Sequence, residues 1–150
     1  DVLREKNISI HETGFLICQD DDALAYRLTK EHLLSLPREK APNCIFVAGA
    51  GVNGVCRAAE EFGSSPEEPL VLPFDDIPAT REYIRKGRVP ATVCQEPFEQ
   101  GYRSVKLLFD YLVRGLRPPD QYITRTVIKL LENLEEPRPF LEVFEDTQDT

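Results

Sequence analysis

Between residues 44 and 94 the chain alternates continuous apolar runs of strand length with segments of helical periodicity. Cys44-Ile45-Phe46-Val47-Ala48 lies between Pro42-Asn43 and a glycine turn, the setting of a strand buried on both faces. Val52, Val55, Ala59 and Phe62 then mark one side of a helix that Gly63 closes. Leu70-Val71-Leu72-Pro73-Phe74 is a second buried run, ending in Asp75-Asp76. The stretch from Ile77 to Lys86 places Pro78 in a first helical turn and Gly87 at the stop. Ala91-Thr92-Val93-Cys94 reads as a third short strand. Strands and helices alternating through short connections predict an α/β fold, a three-layer parallel sheet with helices on both faces. The expected sheet runs through Cys44–Ala48, Leu70–Phe74 and a strand near Val127.

The flanks extend this pattern. Phe15-Leu16-Ile17-Cys18 has the length of a short strand, and Asp20-Asp21-Asp22 suits the positive end of a helix dipole. Ala25, Leu28, His32 and Leu36 follow at helical spacing until Pro37. The longest helix is expected from Phe98 to Arg114, with Phe98, Tyr102, Val105, Phe109 and Leu112 as its apolar stripe and Gly115 as its end. Tyr122 to Leu131 alternates as a strand does. Beyond Leu134 the chain turns acidic and proline-bearing, which divides it into a folded part, 1–134, and an acidic tail, 135–150, with Phe140-Leu141 as its one apolar contact.

Bulk properties narrow the function. A length of 150 residues suits one domain with a real core. No apolar run approaches the roughly 20 residues of a membrane span. The net charge of −8 opposes a phosphate-reading surface, so any contact with DNA belongs to a segment upstream. Residue 1 is Asp and the sequence contains no Met, so the chain reads as a piece or mature form of something longer. Cys18, Cys44, Cys56 and Cys94 have no CxxC spacing, and with only His11 and His32 beside them no metal site is expected. They read as small buried apolar residues in a reducing compartment.

Gly49-Ala50-Gly51-Val52-Asn53-Gly54 spells GxGxxG between a buried strand and a helix, and the next strand ends in two acids. That is the context of a dinucleotide-binding turn, with glycines for backbone approach and a helix N-terminus for the pyrophosphate. The acid lies farther along than the usual spacing of roughly 20 residues, and neither His is near a strand end to serve hydride transfer.

A second reading covers more of the chain. The stretches CIFVAGAGVNGVCRAAEEFG, LVLPFDDIP, VPATVCQEPFEQGYRSVKLLFDYLVRG and ITRTVIKLL occur in an order and spacing that resemble the sensory domains of the lac and galactose repressor family. The related ribose-type periplasmic binding proteins share the pattern, which spans roughly residues 30–131. The resemblance implies one lobe of a periplasmic-binding-protein-like type 1 fold, an effector-binding rather than catalytic role, no cofactor, and a sugar or sugar derivative as ligand. It carries ligand contact onto Asp75, from the FDD motif, and onto Gln95, from the ATVCQ motif. It further implies a cytoplasmic homodimeric regulator whose DNA-binding domain lies upstream, or alternatively a sugar-binding protein of a transporter or sensor kinase.

The residues agree with that role. In an open parallel sheet, ligands sit at the carboxyl ends of the strands. A carboxylate accepts hydrogen bonds from neighbouring hydroxyls, and an amide both donates and accepts. The turn at Gly49 and Gly51 departs from the family, which carries an Asn-Asp pair there. Its contact is expected instead from Asn53 or from backbone N–H groups, which leaves room for an anionic ligand. Phe74 is a further candidate, as a face on which a sugar stacks. Asp76 is expected to cap the helix that follows it.

Overall fold

The computed structural model describes residues 5–63 and 69–135. Among the described residues, the α-helices α1 (Asp22–Ser35), α2 (Val52–Phe62), α3 (Pro78–Arg85) and α4 (Pro97–Arg114) alternate with four strands. The strands are β1 (Cys44–Val47), β2 (Leu70–Pro73), β3 (Thr92–Gln95) and β4 (Thr126–Lys129). Each helix starts where local chemistry favours it. The Asp21 carboxylate caps α1 by accepting from the Leu24 N–H at 2.6 Å. Proline opens α3 and α4, where its missing N–H costs nothing.

β1 and β2 pair in parallel, Cys44 opposite Leu70 and Val47 opposite Pro73. A parallel bridge between Phe74 and Val93 sets β3 beside β2. The α/β class with a parallel sheet is therefore the observed one. The strand near Val127 departs from the expectation, because β4 pairs antiparallel with β3, Gln95 opposite Thr126 and Thr92 opposite Lys129. The cause is the path after α4. The chain leaves Gly115 in a left-handed turn (φ 65°) and runs back along the helix it has just made. Tyr122 donates its hydroxyl to Glu99 at 2.9 Å, and Gln100 donates to Thr124 at 3.3 Å. The returning chain thus reaches the sheet at the Gln95 end of β3 and enters it in the opposite direction.

Side-chain alternation splits the sheet into two unlike faces. Val47, Val71, Pro73, Thr92, Cys94 and Lys129 point to the side covered by α2 and α3, and all are buried. Val52, Val55, Cys56, Ala59, Tyr83, Ile84 and Val89 complete that core, and Leu134 inserts into it from the end of the fold. On the reverse side Phe46, Leu70 and Ile128 are each more than half exposed. Among the described residues the reverse side of the sheet is thus the more exposed of the two. The stripe of α4 is open as well: Phe98, Tyr102, Val105, Phe109 and Leu112 range from 38% to 70% exposure, and the helix does not fold back onto its own lobe.

Phe15–Cys18 forms no strand, contrary to expectation, and Phe15 and Ile17 are exposed. A strand needs a ladder partner, and this segment is drawn to the helices instead. The His32 ring fills the space beside Gly14, and the Cys18 thiol points to the Ala50 carbonyl at 3.6 Å. The expected tail lies outside the described residues from 136 onward, while Glu135 still pairs with Arg81 and Arg85.

α1 and α2 pack closely against each other at Gly54. A Cβ on Gly54 would fall on the Asp22 carbonyl oxygen and lie 2.7 Å from the Tyr26 nitrogen, both of them backbone atoms. Gly54→Ala should therefore force the helices apart and lower stability by about 3 kcal/mol, the upper end for overpacking, read as a lower urea midpoint.

Candidate functional site

The carboxyl ends of β2 and β3 converge on one cleft. Asp75 follows β2 with φ 72°, a left-handed conformation that costs most L-residues roughly 1–2 kcal/mol and Asp somewhat less. Its N–H donates to the Val93 carbonyl at 2.8 Å. The buried Thr92 hydroxyl lies 3.0 Å from the Pro73 carbonyl oxygen and 3.1 Å from that of Asp75. Gln95, at the end of β3, donates its amide to the Asp75 carboxylate at 3.3 Å. An open cleft of about 370 Å³ is lined by Asp75, Asp76, Ile77, Gln95, Pro97 and Gln100.

Asp76 does not cap α3, in contrast to the expectation. The N-cap is Ile77, whose hydrocarbon side chain has no acceptor, and Pro78 removes one of the donors a cap would satisfy. Arg81, one turn on, takes the Asp76 carboxylate in a two-pronged grip at 2.5 and 2.7 Å. That carboxylate is 4% exposed, and the pairing holds the Arg81 guanidinium above its ordinary pKa. Arg81 and Arg85 both reach Glu135, and the hydrogen bond from Arg85 holds the Glu135 carboxyl below its usual range.

The glycine turn is committed to packing. Gly51 has φ 98° and caps α2; a Cβ there would lie 2.9 Å from that of Ala25 and 3.1 Å from the Cys18 sulfur. Gly49 faces the Asp20 carboxylate. Two N–H groups around the start of α2 are engaged as well: Ala50 donates to Asp20 and Gly54 to Asp22, each at 3.3 Å. Two carboxylates therefore stand beside the turn that a pyrophosphate would approach, and their charge opposes a dinucleotide or another anionic ligand there.

Of the sequence candidates, Asp75 and Gln95 are brought together on the cleft, and Asn53, Gly49, Gly51 and Phe74 are not among its lining residues. Asn53 accepts from the Tyr83 hydroxyl at 3.1 Å; burial pushes that phenol up to about 12. Phe74 meets Phe46 edge to face at 5.6 Å on the open side of the sheet. Sequence reasoning missed Gln100. The available signal was Pro97, which starts α4 immediately after β3 and so keeps its first turn beside the strand end. Among the described residues, no cluster of three or more His, Cys, Asp or Glu is placed to hold a metal ion, and no helix is long and apolar enough to cross a membrane.

Residues 1–115 match the family described as the periplasmic binding protein domain. The chain belongs to that family. No curated protein sequence matches it. Among solved structures it is similar to a glucose-galactose binding protein from Geobacillus stearothermophilus, at 28% identity and a TM-score of 0.74, over 89% of this chain and 46% of that one. It is similar in fold to an ABC transporter solute binding protein from Agrobacterium vitis with bound D-fucose, at 22% identity and a TM-score of 0.75, over 89% and 44%. A Caulobacter myo-inositol binding protein bound to myo-inositol matches at 25% identity and a TM-score of 0.66, over 79% and 40%. The chain thus spans under half the length of these relatives.

With the α2 N-terminus occupied by Asp20 and Asp22, titration with NADH at up to about 1 mM, near the weak limit of useful affinity, should leave nicotinamide fluorescence unchanged. Saturable enhancement would restore the dinucleotide reading.

Proposed function

We propose that this chain is the ligand-binding half of a two-lobed sugar receptor, with Asp75 and Gln95 as the groups that hold sugar hydroxyls. The observation that carries the reading is their convergence: a carboxylate and an amide, 3.3 Å apart, at two adjacent strand ends that open on one cleft. The Asp75 carboxylate accepts from neighbouring hydroxyls, and Gln95 both donates to and accepts from one. Each charge-assisted bond contributes about 1.5–3 kcal/mol. Relatives that bind glucose and galactose, D-fucose or myo-inositol support a neutral polyhydroxylated ligand.

In this reading the other half of the receptor closes over the cleft. The exposed stripe of α4 and the bare face around Phe46 and Ile128 are the apolar surfaces that such a half would cover. The role is binding and not catalysis. The solute-binding neighbours favour a receptor that delivers sugar to a transporter.

One observation favours a second reading, a cytoplasmic regulator of the lac and galactose repressor type. None of Cys18, Cys44, Cys56 and Cys94 is in a disulfide, which suits a reducing compartment. Such a regulator would reach DNA through an upstream domain and pair as a homodimer. Fractionation of cells separates the two, since the transport receptor is found outside the cytoplasm and the regulator within it.

In the protein bearing this domain, Asp75→Ala should weaken binding of the best-bound sugar among D-glucose, D-galactose, D-fucose, D-allose and myo-inositol by about tenfold or more, with little change in Tm. Calorimetric titration reads this directly. Unchanged affinity would remove Asp75 from the binding site.

A further inference from the structure

A left-handed backbone at a residue other than glycine persists only where its surroundings hold it there. Asp75, at φ 72°, is such a residue, and three contacts converge on it. Its N–H is tied to the Val93 carbonyl at 2.8 Å. Its carbonyl oxygen lies 3.1 Å from the Thr92 hydroxyl, which also faces the Pro73 carbonyl and so bridges the two sides of the turn. The peptide that follows is anchored through Asp76, whose carboxylate the Arg81 fork grips at 2.5 and 2.7 Å. Thr92 is 1% exposed, so water does not compete for its hydroxyl. Neither Thr92 nor Arg81 lines the cleft.

Resting on the ligand reading above, we propose that Thr92 and Arg81 are positioning residues that hold the Asp75 backbone in its left-handed turn and so keep its carboxylate on the cleft beside Gln95. Their effect on affinity comes through population. A site whose competent conformer fills a fraction of the time binds more weakly by that same fraction. Removing the Thr92 hydroxyl lets Asp75 relax to the extended conformations it otherwise prefers. The valine side chain has the same shape as threonine and no donor, whereas serine keeps the donor. Lysine in place of Arg81 keeps the charge and cannot reproduce the two-pronged grip.

The test compares Thr92→Val, Thr92→Ser and Arg81→Lys with the wild type in the protein bearing this domain. Two measurements are made: the φ-sensitive NMR couplings and carbon shifts of Asp75 without sugar, and calorimetric affinity for D-galactose, D-glucose, D-fucose, D-allose and myo-inositol. The proposal expects Thr92→Val to lose the left-handed signature and bind about tenfold more weakly, Thr92→Ser to retain both, and Arg81→Lys to lie between them. A left-handed signature that survives in Thr92→Val overturns the proposal whatever the affinity. So does a lost signature with unchanged affinity. A wild type that binds none of the five sugars overturns the ligand reading and the positioning role with it, while the sugar-free NMR still shows whether the clamp on Asp75 exists.

Discussion

Burial of Val47 and Val71 beneath α2 and α3 settles the direction in which every other side chain of the sheet points, because alternation along a strand admits only two choices. With those two inward, register carries Pro73, Thr92, Cys94 and Lys129 inward too, and Phe46, Leu72, Phe74 and Val93 outward. Full burial of each large side chain contributes roughly 1.5–3 kcal/mol, far more than any surface ion pair in the structure. The consequence for the site is specific. Thr92 is turned inward beneath the β2 end, where its hydroxyl meets two carbonyls, while Gln95 is turned outward, where its amide meets the Asp75 carboxylate.

Parallel pairing of β1 and β2 adds the second constraint. Strands that run the same way bring their carboxyl ends to one edge, and the turns after them, rich in groups that cannot be buried, collect there. Two such turns have opposite fates here. The one after β1 is closed, with the Ala50 and Gly54 N–H groups donating to Asp20 and Asp22 and its glycines pressed against Ala25, Asp22 and Tyr26. The one after β2 is open: Asp75 and Asp76 both line the cleft, and the Asp76 carboxylate is paired with Arg81. The two turns after β1 and β2 thus differ in what packs behind each, and only the second opens on the cleft.

The exposed apolar surfaces follow from the same geometry. A sheet with helices over one face leaves the other dry only when something else lies on it, and α4 departs from the lobe with its stripe uncovered. Isolated apolar residues on a surface are ordinary, whereas a continuous exposed stripe on an 18-residue helix is the kind of surface that the proposed second half of the receptor would cover.

Much was legible in the residues themselves. The apolar runs at 44–48 and 70–74 and the stops at Pro37, Gly63 and Gly115 mark elements whose cause is local, a matter of periodicity and of dihedral angles that one residue type permits. Asp75 and Gln95 were legible as strand-end polar groups for the same reason. What the residues left open depends on partners far along the chain. Whether Gly49, Gly51 and Gly54 cradle a phosphate or a helix is decided by Asp20, Asp22 and Tyr26, roughly thirty residues away, and no spacing rule contains that contact. Whether Asp76 caps a helix or pairs with Arg81 depends on how the β2 turn is held. The direction of β4 was decided by the return of 115–125 along α4, since an alternating run pairs equally well with either sense of a neighbour. Local chemistry determined which segments are strands and helices; tertiary packing decided which polar groups were consumed in holding them together and which were left to meet a ligand.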